Sequence, residues 1–189
     1  NLVEMANAVE YANYVSTASG SLIQPGSIST DWYDKILRNG FQQNHGLSIS
    51  GGSDKSTYFL SAGYFTDQGI VIDNIYKRLS IRANNDFTFN KIVKAGISAS
   101  YANGDNQIAN LNTAYNNAYR AAPIIAAKEN GKYGNTSVYQ NVGNPVLDIE
   151  KNNNKAIDNR LLGSAYLQIQ PLSWLTFRSN MGGDWINRN

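Results

Sequence analysis

Residues 79–89 alternate in polarity almost without interruption. Leu79, Ile81, Ala83, Phe87 and Phe89 are apolar at odd positions, and Ser80, Arg82, Asn84, Asp86 and Thr88 are polar at even ones, with Asn85 the exception. A period of two gives an extended strand one apolar face and one wet face. The run reaches back to Tyr76, which predicts a strand of about 11–14 residues where a globular strand has about 5–6. A strand tilted across an outer membrane needs about 9–11 residues.

The pattern recurs at 47–51, 57–65, 95–102, 161–170 and 175–184, with Phe59 and Phe65 as further exceptions. None of these runs is the continuous Val/Ile/Leu stretch of a buried parallel strand. The expected fold is therefore all-β, built of antiparallel up-and-down strands. The polar faces carry Arg82, Asn84, Asp86, Arg178, Asn180 and Asp184. Alternation alone leaves open whether these meet bulk water on a soluble sheet or line a wet lumen while the apolar faces meet lipid.

The connections between the runs add a second constraint. Residues 52–55, 90–93 and 171–173 leave room only for tight turns, 66–75 is a middling loop, and 104–159 is very long. Short and long connections alternate, the asymmetry of an outer-membrane barrel with short periplasmic turns and long external loops. Tyr58, Phe87, Phe89 and Trp174 fall towards the tight turns and Tyr64, Tyr76 and Tyr101 towards the long loops, as two interfacial aromatic belts would require. The expected organisation is a helical and loop segment at 1–40, external to the membrane, followed by six barrel strands at 41–189 that carry the external loop 104–159. Six strands do not close a barrel, since the smallest have about eight. With no signal peptide at Asn1-Leu2-Val3-Glu4, the chain is expected to be part of a larger protein.

Short helices are expected in the loops. Leu2, Met5, Ala6, Val9 and Ala12 have helical spacing. Ser29 or Thr30 is placed to cap a helix at 31–38, and a stripe from Ile108 to Ala122 stops at Pro123. Residues 130–159 read as a polar loop rich in Gly and Asn.

Composition narrows the function. Hydrophobic content of 42% and a mean hydropathy of −0.40 leave no run of about 18 apolar residues for a membrane-spanning helix. They are compatible with half-polar barrel strands. A net charge of +2 gives no electrostatic reason to expect nucleic acid. There is no cysteine, and His45 is the single histidine, so neither a catalytic triad nor a His- or Cys-based metal site is expected. Glu129, Asp148 and Glu150 lie in the long loop, at spacings unlike a calcium-binding EF-hand. The chain is not expected to be an enzyme, to bind a metal or to need a cofactor. Its 26 asparagines suit turns and hydrogen bonding to sugars or peptides.

Several stretches resemble a known family. Thr30-Asp31-Trp32-Tyr33-Asp34-Lys35-Ile36-Leu37-Arg38 and the turn Ser50-Gly51-Gly52-Ser53-Asp54-Lys55 running into Ser56-Thr57-Tyr58-Phe59 carry the resemblance. So do Gly63-Tyr64, Gln68-Gly69-Ile70-Val71 and Lys77-Arg78-Leu79-Ser80-Ile81-Arg82-Ala83-Asn84. They are similar to the early barrel region of SusC/RagA-type TonB-dependent outer-membrane transporters, closely over residues 30–101 and loosely elsewhere. The resemblance implies a parent barrel of about 22 strands in the bacterial outer membrane, with a plug through which the TonB complex acts. It further implies import of glycans or peptides into the periplasm and a SusD-like surface lipoprotein as partner. Tyr115, Tyr119, Tyr133 and Tyr139 in the long loop are the candidate ligand-binding residues, able to stack on sugar rings or peptide side chains. The alternative is a soluble or surface β-sandwich that binds carbohydrate.

Overall fold

The computed structural model describes residues 4–152 and 154–189, the side chain of Gln140 excepted. Leu2 of the first helical stripe and Asn153 of the polar loop lie outside the described residues. In chain order the elements are α1 (Ala8–Ser19), α2 (Trp32–Ile36), β1 (Phe41–Ser53), β2 (Ser56–Gln68), β3 (Ile75–Thr88), β4 (Val93–Gln107) and α3 (Leu111–Arg120). There follow β5 (Lys128–Glu129), β6 (Lys132–Tyr133), α4 (Ser137–Gln140), α5 (Pro145–Glu150), β7 (Lys155–Leu172) and β8 (Leu175–Arg188). They form two compact units, one made of the large sheet and one made of the segments to Gly40, Gly69–Asn74 and Ile108–Asn154.

The sheet runs in the order β1-β2-β3-β4-β7-β8, every neighbouring pair antiparallel. The tight turns lie at one end. Thr88 donates its backbone N–H to the Lys55 carbonyl at 2.8 Å, and Gln170 donates to Ile92 at 2.8 Å, which ties the three turns side by side. At the opposite end the chain leaves the sheet at Gln68 and Gln107 and returns at Ile75 and Lys155. The strands are 13 to 18 residues long, longer than the alternating runs. The added residues, such as Gln42–Gly46, Asn103–Gln107 and Lys155–Asn159, are mostly polar at the loop end. Hydrophobic pattern stops marking a strand where its apolar residues stop, but the ladder continues because every backbone N–H and C=O still needs a partner.

Register decides which side chains share a face. Arg82 pairs with Ser100, Asn84 with Ser98 and Asp86 with Gly96, and these lead through Leu162, Ser164 and Tyr166 to Asp184, Gly182 and Asn180. The opposite face aligns Leu47 and Ile49 with Ala62 and Leu60, and those with Ile81 and Ala83. It continues through Tyr101, Ala99 and Ile97 to Leu161, Gly163 and Ala165, and on to Trp185, Gly183 and Met181. Tyr76 falls on the polar face, not in an apolar-face belt. Its even position places it beside Phe65, ring centroids 6.0 Å apart, and Phe65 in turn lies 5.4 Å beneath the Arg78 guanidinium.

The apolar face is uncovered. Leu47 is 78% exposed and Met181 80%, and Ile49, Leu60, Leu79, Ile81, Ile97, Leu161, Leu167 and Phe177 are exposed as well. In water such a face costs about 25 cal/mol per Å². Against hydrocarbon it costs nothing, and the ladder has already satisfied the backbone of the inner strands β2, β3, β4 and β7. A β-sandwich would need a second sheet packed on this face. Among the described residues the only other sheet is the two-stranded β5-β6 hairpin. The fold is a single antiparallel sheet with short helices, and the sandwich alternative is set aside.

The second unit has its own small core of Trp32, Ile36, Val71, Ala114, Ala118, Val142 and Ile149. α1 begins at Ala8, later than its apolar stripe suggests, because Asn7 caps it. The Asn7 side chain accepts from Val9 and Glu10, and Glu10 accepts from the Asn7 backbone. Asp31, not Ser29 or Thr30, caps α2. Those two residues are engaged elsewhere: Ser29 accepts from the Ala8 N–H at 3.1 Å and Thr30 donates to the Ile125 carbonyl at 2.7 Å. α3 packs through Ala114 and Ala118, one turn apart and fully buried.

Residues 130–159 are not a featureless loop, since they hold the end of a hairpin, two helices and the start of β7. Asn130 (φ 50°) and Gly131 (φ 76°) make the hairpin turn between β5 and β6. Asn144 is 4% exposed and fully bonded: its amide nitrogen donates to Ala127 and Gly134, and its oxygen accepts from Val146 and Leu147 at the start of α5.

Sidedness is testable. Ile81→Arg, near the middle of β3, is expected to cost about 2–4 kcal/mol in a bilayer and Asn84→Arg much less, read by denaturant titration of the intact protein in lipid vesicles. Equal losses would indicate that neither face meets lipid.

Candidate functional site

The polar face of the sheet holds a hollow of about 490 Å³, with Arg82, Asn84, Asp86, Ser98, Tyr166 and Arg178 in its wall. Tyr166 crosses β4 to reach β3 and donates its hydroxyl to Asp86 at 2.7 Å. It passes over Gly96, where any Cβ would collide with the Tyr166 ring and the Asp86 carboxylate. The Arg178 guanidinium lies 3.9 Å from the Tyr166 ring centroid, a cation–π contact. Ser98 donates to Asn84 at 2.7 Å. Nearer the loop end Arg160 makes two hydrogen bonds to Asp184, at 3.0 and 2.6 Å, and Arg188 pairs with Asp158. Arg82 has neither an ion-pair nor a hydrogen-bond partner among the described residues. The wall is mostly polar and mostly self-paired. The sequence pattern placed these residues on one face, but the Tyr166–Asp86 bond joins positions 80 apart and left no local signal.

The four loop tyrosines are not gathered into one site. Tyr115 is half-buried against the core, its ring 6.2 Å from that of Tyr33. Tyr133 also packs on the core, donates its hydroxyl to Glu150 at 2.7 Å and lies 4.9 Å beneath the Lys128 ammonium. Tyr119 is 57% exposed and Tyr139 is exposed on α4. Tyr119 shares a hollow of about 400 Å³ with Tyr11, Tyr14 and Trp32. The N-terminal tyrosines escaped the sequence reading because α1 is separated from α3 by almost a hundred residues.

Of the loop carboxylates, Glu150 accepts from Lys128 and Tyr133, and Asp148 accepts from Asn117. No group of three potential metal-binding side chains occurs among the described residues. The Lys128 ammonium and then the Tyr133 hydroxyl hold the Glu150 carboxyl below its ordinary value of 4.5. The same bonds raise Lys128 and Tyr133 above theirs.

A single antiparallel sheet with an uncovered apolar face, a polar face of paired charges and turns sorted by length defines the wall of a transmembrane β-barrel. The comparisons agree. The chain is 28% identical to TonB-dependent receptor P3 of Formosa agariphila, over 96% of its own length and 19% of the receptor's. It is 26% identical to the TonB-dependent receptor SusC of Bacteroides thetaiotaomicron, over 93% of the chain and 20% of SusC. Its fold matches a chain of the RagAB peptide transporter with a TM-score of 0.65 at 20% identity, over 94% of this chain and 22% of that one. No family model matches. The chain is a distant homologue of SusC/RagA-type TonB-dependent receptors over nearly its whole length, and it spans about a fifth of the receptors it matches.

Two measurements test the geometry. Gly96→Ala is expected to expel the Tyr166 ring and break its bond to Asp86, at a cost of about 1–3 kcal/mol, seen as loss of the tyrosine's hydrogen-bonded vibrational signature. The Glu150 cluster has a defined pH window. A lowered carboxyl contributes stability above its ordinary value of 4.5 and loses it as pH falls through the lowered folded value. The raised Tyr133 contributes below its ordinary 10.0 and loses that contribution as pH rises further. The protection of Lys128–Tyr133 against hydrogen exchange, relative to the intrinsic rate at each pH, is therefore expected to stay high between those limits and to fall below the lower one, and Glu150→Gln to abolish the acid limb.

Proposed function

We propose that the protein carrying this chain is a TonB-dependent importer that brings oligosaccharides or peptides across the outer membrane. In this reading the strands 41–68, 75–107 and 155–189 are frame. The segments 1–40 and 108–154 lie outside the cell, where they meet substrate and a SusD-like lipoprotein. TonB acts through a plug region elsewhere in the protein. The observation that carries the reading is the sorting of connections. Three tight turns occupy one end of the sheet, and the chain's one long excursion departs from the other. That excursion has capped helices and shares a buried core with Trp32, Ile36 and Val71. Binding residues concentrate on loops held by a rigid frame.

The test is deletion of residues 128–150 in the intact receptor. Insertion of the barrel should be unchanged, while uptake or affinity for the lipoprotein falls about tenfold or more, equivalent to about 1.4 kcal/mol or more. Unchanged substrate range and unchanged lipoprotein affinity in a correctly inserted barrel would assign the excursion a filling role instead.

A further inference from the structure

The hollow between α1 and the end of α3 has a chemistry that neither packing nor the frame uses. Its floor is Trp32, which is 1% exposed and donates its indole N–H to the Ala122 carbonyl at 3.1 Å. Its walls are Tyr11 and Tyr14, one turn apart on α1, and Tyr119 near the end of α3. Tyr14 is 74% exposed and Tyr119 57%, so two large rings stand open to solvent beside a rigid, fully bonded floor. Glu4 and Arg120 also line the hollow, yet they form no ion pair with each other. The volume of about 400 Å³ lies in the range of small-molecule sites, about 300–1,000 Å³.

We propose that this hollow is a binding subsite for a neutral saccharide ring, a proposal that rests on the import reading and names a ligand class for one part of it. Tyrosine offers an apolar ring face with a polar tip, which fits the apolar face and hydroxyl rim of a sugar. Arg120 only donates and Glu4, when ionised, only accepts. A sugar hydroxyl does both, so neighbouring hydroxyls satisfy both groups without a net charge on the ligand. An extended peptide is a poorer fit. Peptide recognition by strand addition needs a free strand edge, and the lining comes from residues 4–6, from α1, from Thr30 and Trp32, and from the end of α3 with the segment that follows it. Tyr14 and Tyr119 carry their rings at the surface, so removing them leaves the core of Trp32, Ala114 and Ala118 intact.

The experiment titrates the intact receptor, purified in detergent, with maltohexaose, cellohexaose, xylohexaose and mannohexaose and with a peptic casein digest, following Trp fluorescence and heat. At least one hexasaccharide is expected to bind. Tyr119→Ala and Tyr14→Ala should each weaken that binding about tenfold, equivalent to about 1.4 kcal/mol, and Phe89→Ala, an exposed ring at the turn end of the sheet, should leave it unchanged. The peptide digest should not compete. Absence of binding by all four saccharides, equal effects of the three substitutions, or displacement by the digest would overturn the proposal. Uptake by cells is measured separately. Loss of saccharide binding in Tyr119→Ala supports the subsite even where uptake proves independent of TonB, and energised uptake with unaltered binding rejects the subsite alone.

Discussion

Everything assigned to a face in this protein depends on the antiparallel register of one sheet. The pairing runs from β1 to β8 with a single irregularity, between Ile169 and Leu172 at the turn end. A slip of one residue in any strand would send its whole apolar set to the polar side. The register is held because the two faces have incompatible demands. Arg160 and Asp184 on one face and Leu161 and Trp185 on the other cannot exchange places without stranding charge in hydrocarbon and indole in water. Turn length holds it too, since Asp54 and Lys55 alone separate β1 from β2.

The polar face shows how that constraint is used. Charges there are mostly consumed in cross-strand pairs, and the one large ring that spans three strands, Tyr166, needs Gly96 beneath it. Such a wall is rigid and wet, and what chemistry it offers is contact. In the proposed reading, selective contact is the work of the second unit, whose core is small and whose rings at Tyr14 and Tyr119 are exposed. The division follows from physics: a strand in a membrane has half of its side chains committed to lipid and its whole backbone committed to neighbours, leaving little freedom to fit a ligand.

The six strands and their turns were legible because period-2 alternation is a local signal repeated along each strand. Their polar ends were not, since Gln42–Gly46 and Asn103–Gln107 carry no alternation and are held only by pairing. Tyr76 was misplaced for a simple reason: nearness to a strand end was read without the parity that sets its face. The hairpin at 128–133 had a signal that went unused, the Asn130-Gly131 pair, and α5 had another in Asn144-Pro145. The cap of α2 was ambiguous because Ser29, Thr30 and Asp31 are all competent, and the choice is made by Ala8 and Ile125, distant in sequence. The hollow beside Tyr119 was invisible for the same reason, its walls being contributed by residues that only the folded unit brings together.

The excursion of residues 108–154 begins and ends at one closed neck. Ile108 donates its backbone N–H to the Asn154 carbonyl at 3.0 Å, and the Asn152 amide donates back to the Ile108 carbonyl at 2.7 Å. Closing a loop costs little more when the loop grows, about 0.6 kcal/mol for each doubling of length. A segment clasped in this way is exchangeable as a cassette together with α2 and Val71, whose side chains complete its core. Related barrels that trade it by recombination at the neck inherit no strain in the strands on either side, but must keep the partners of that core.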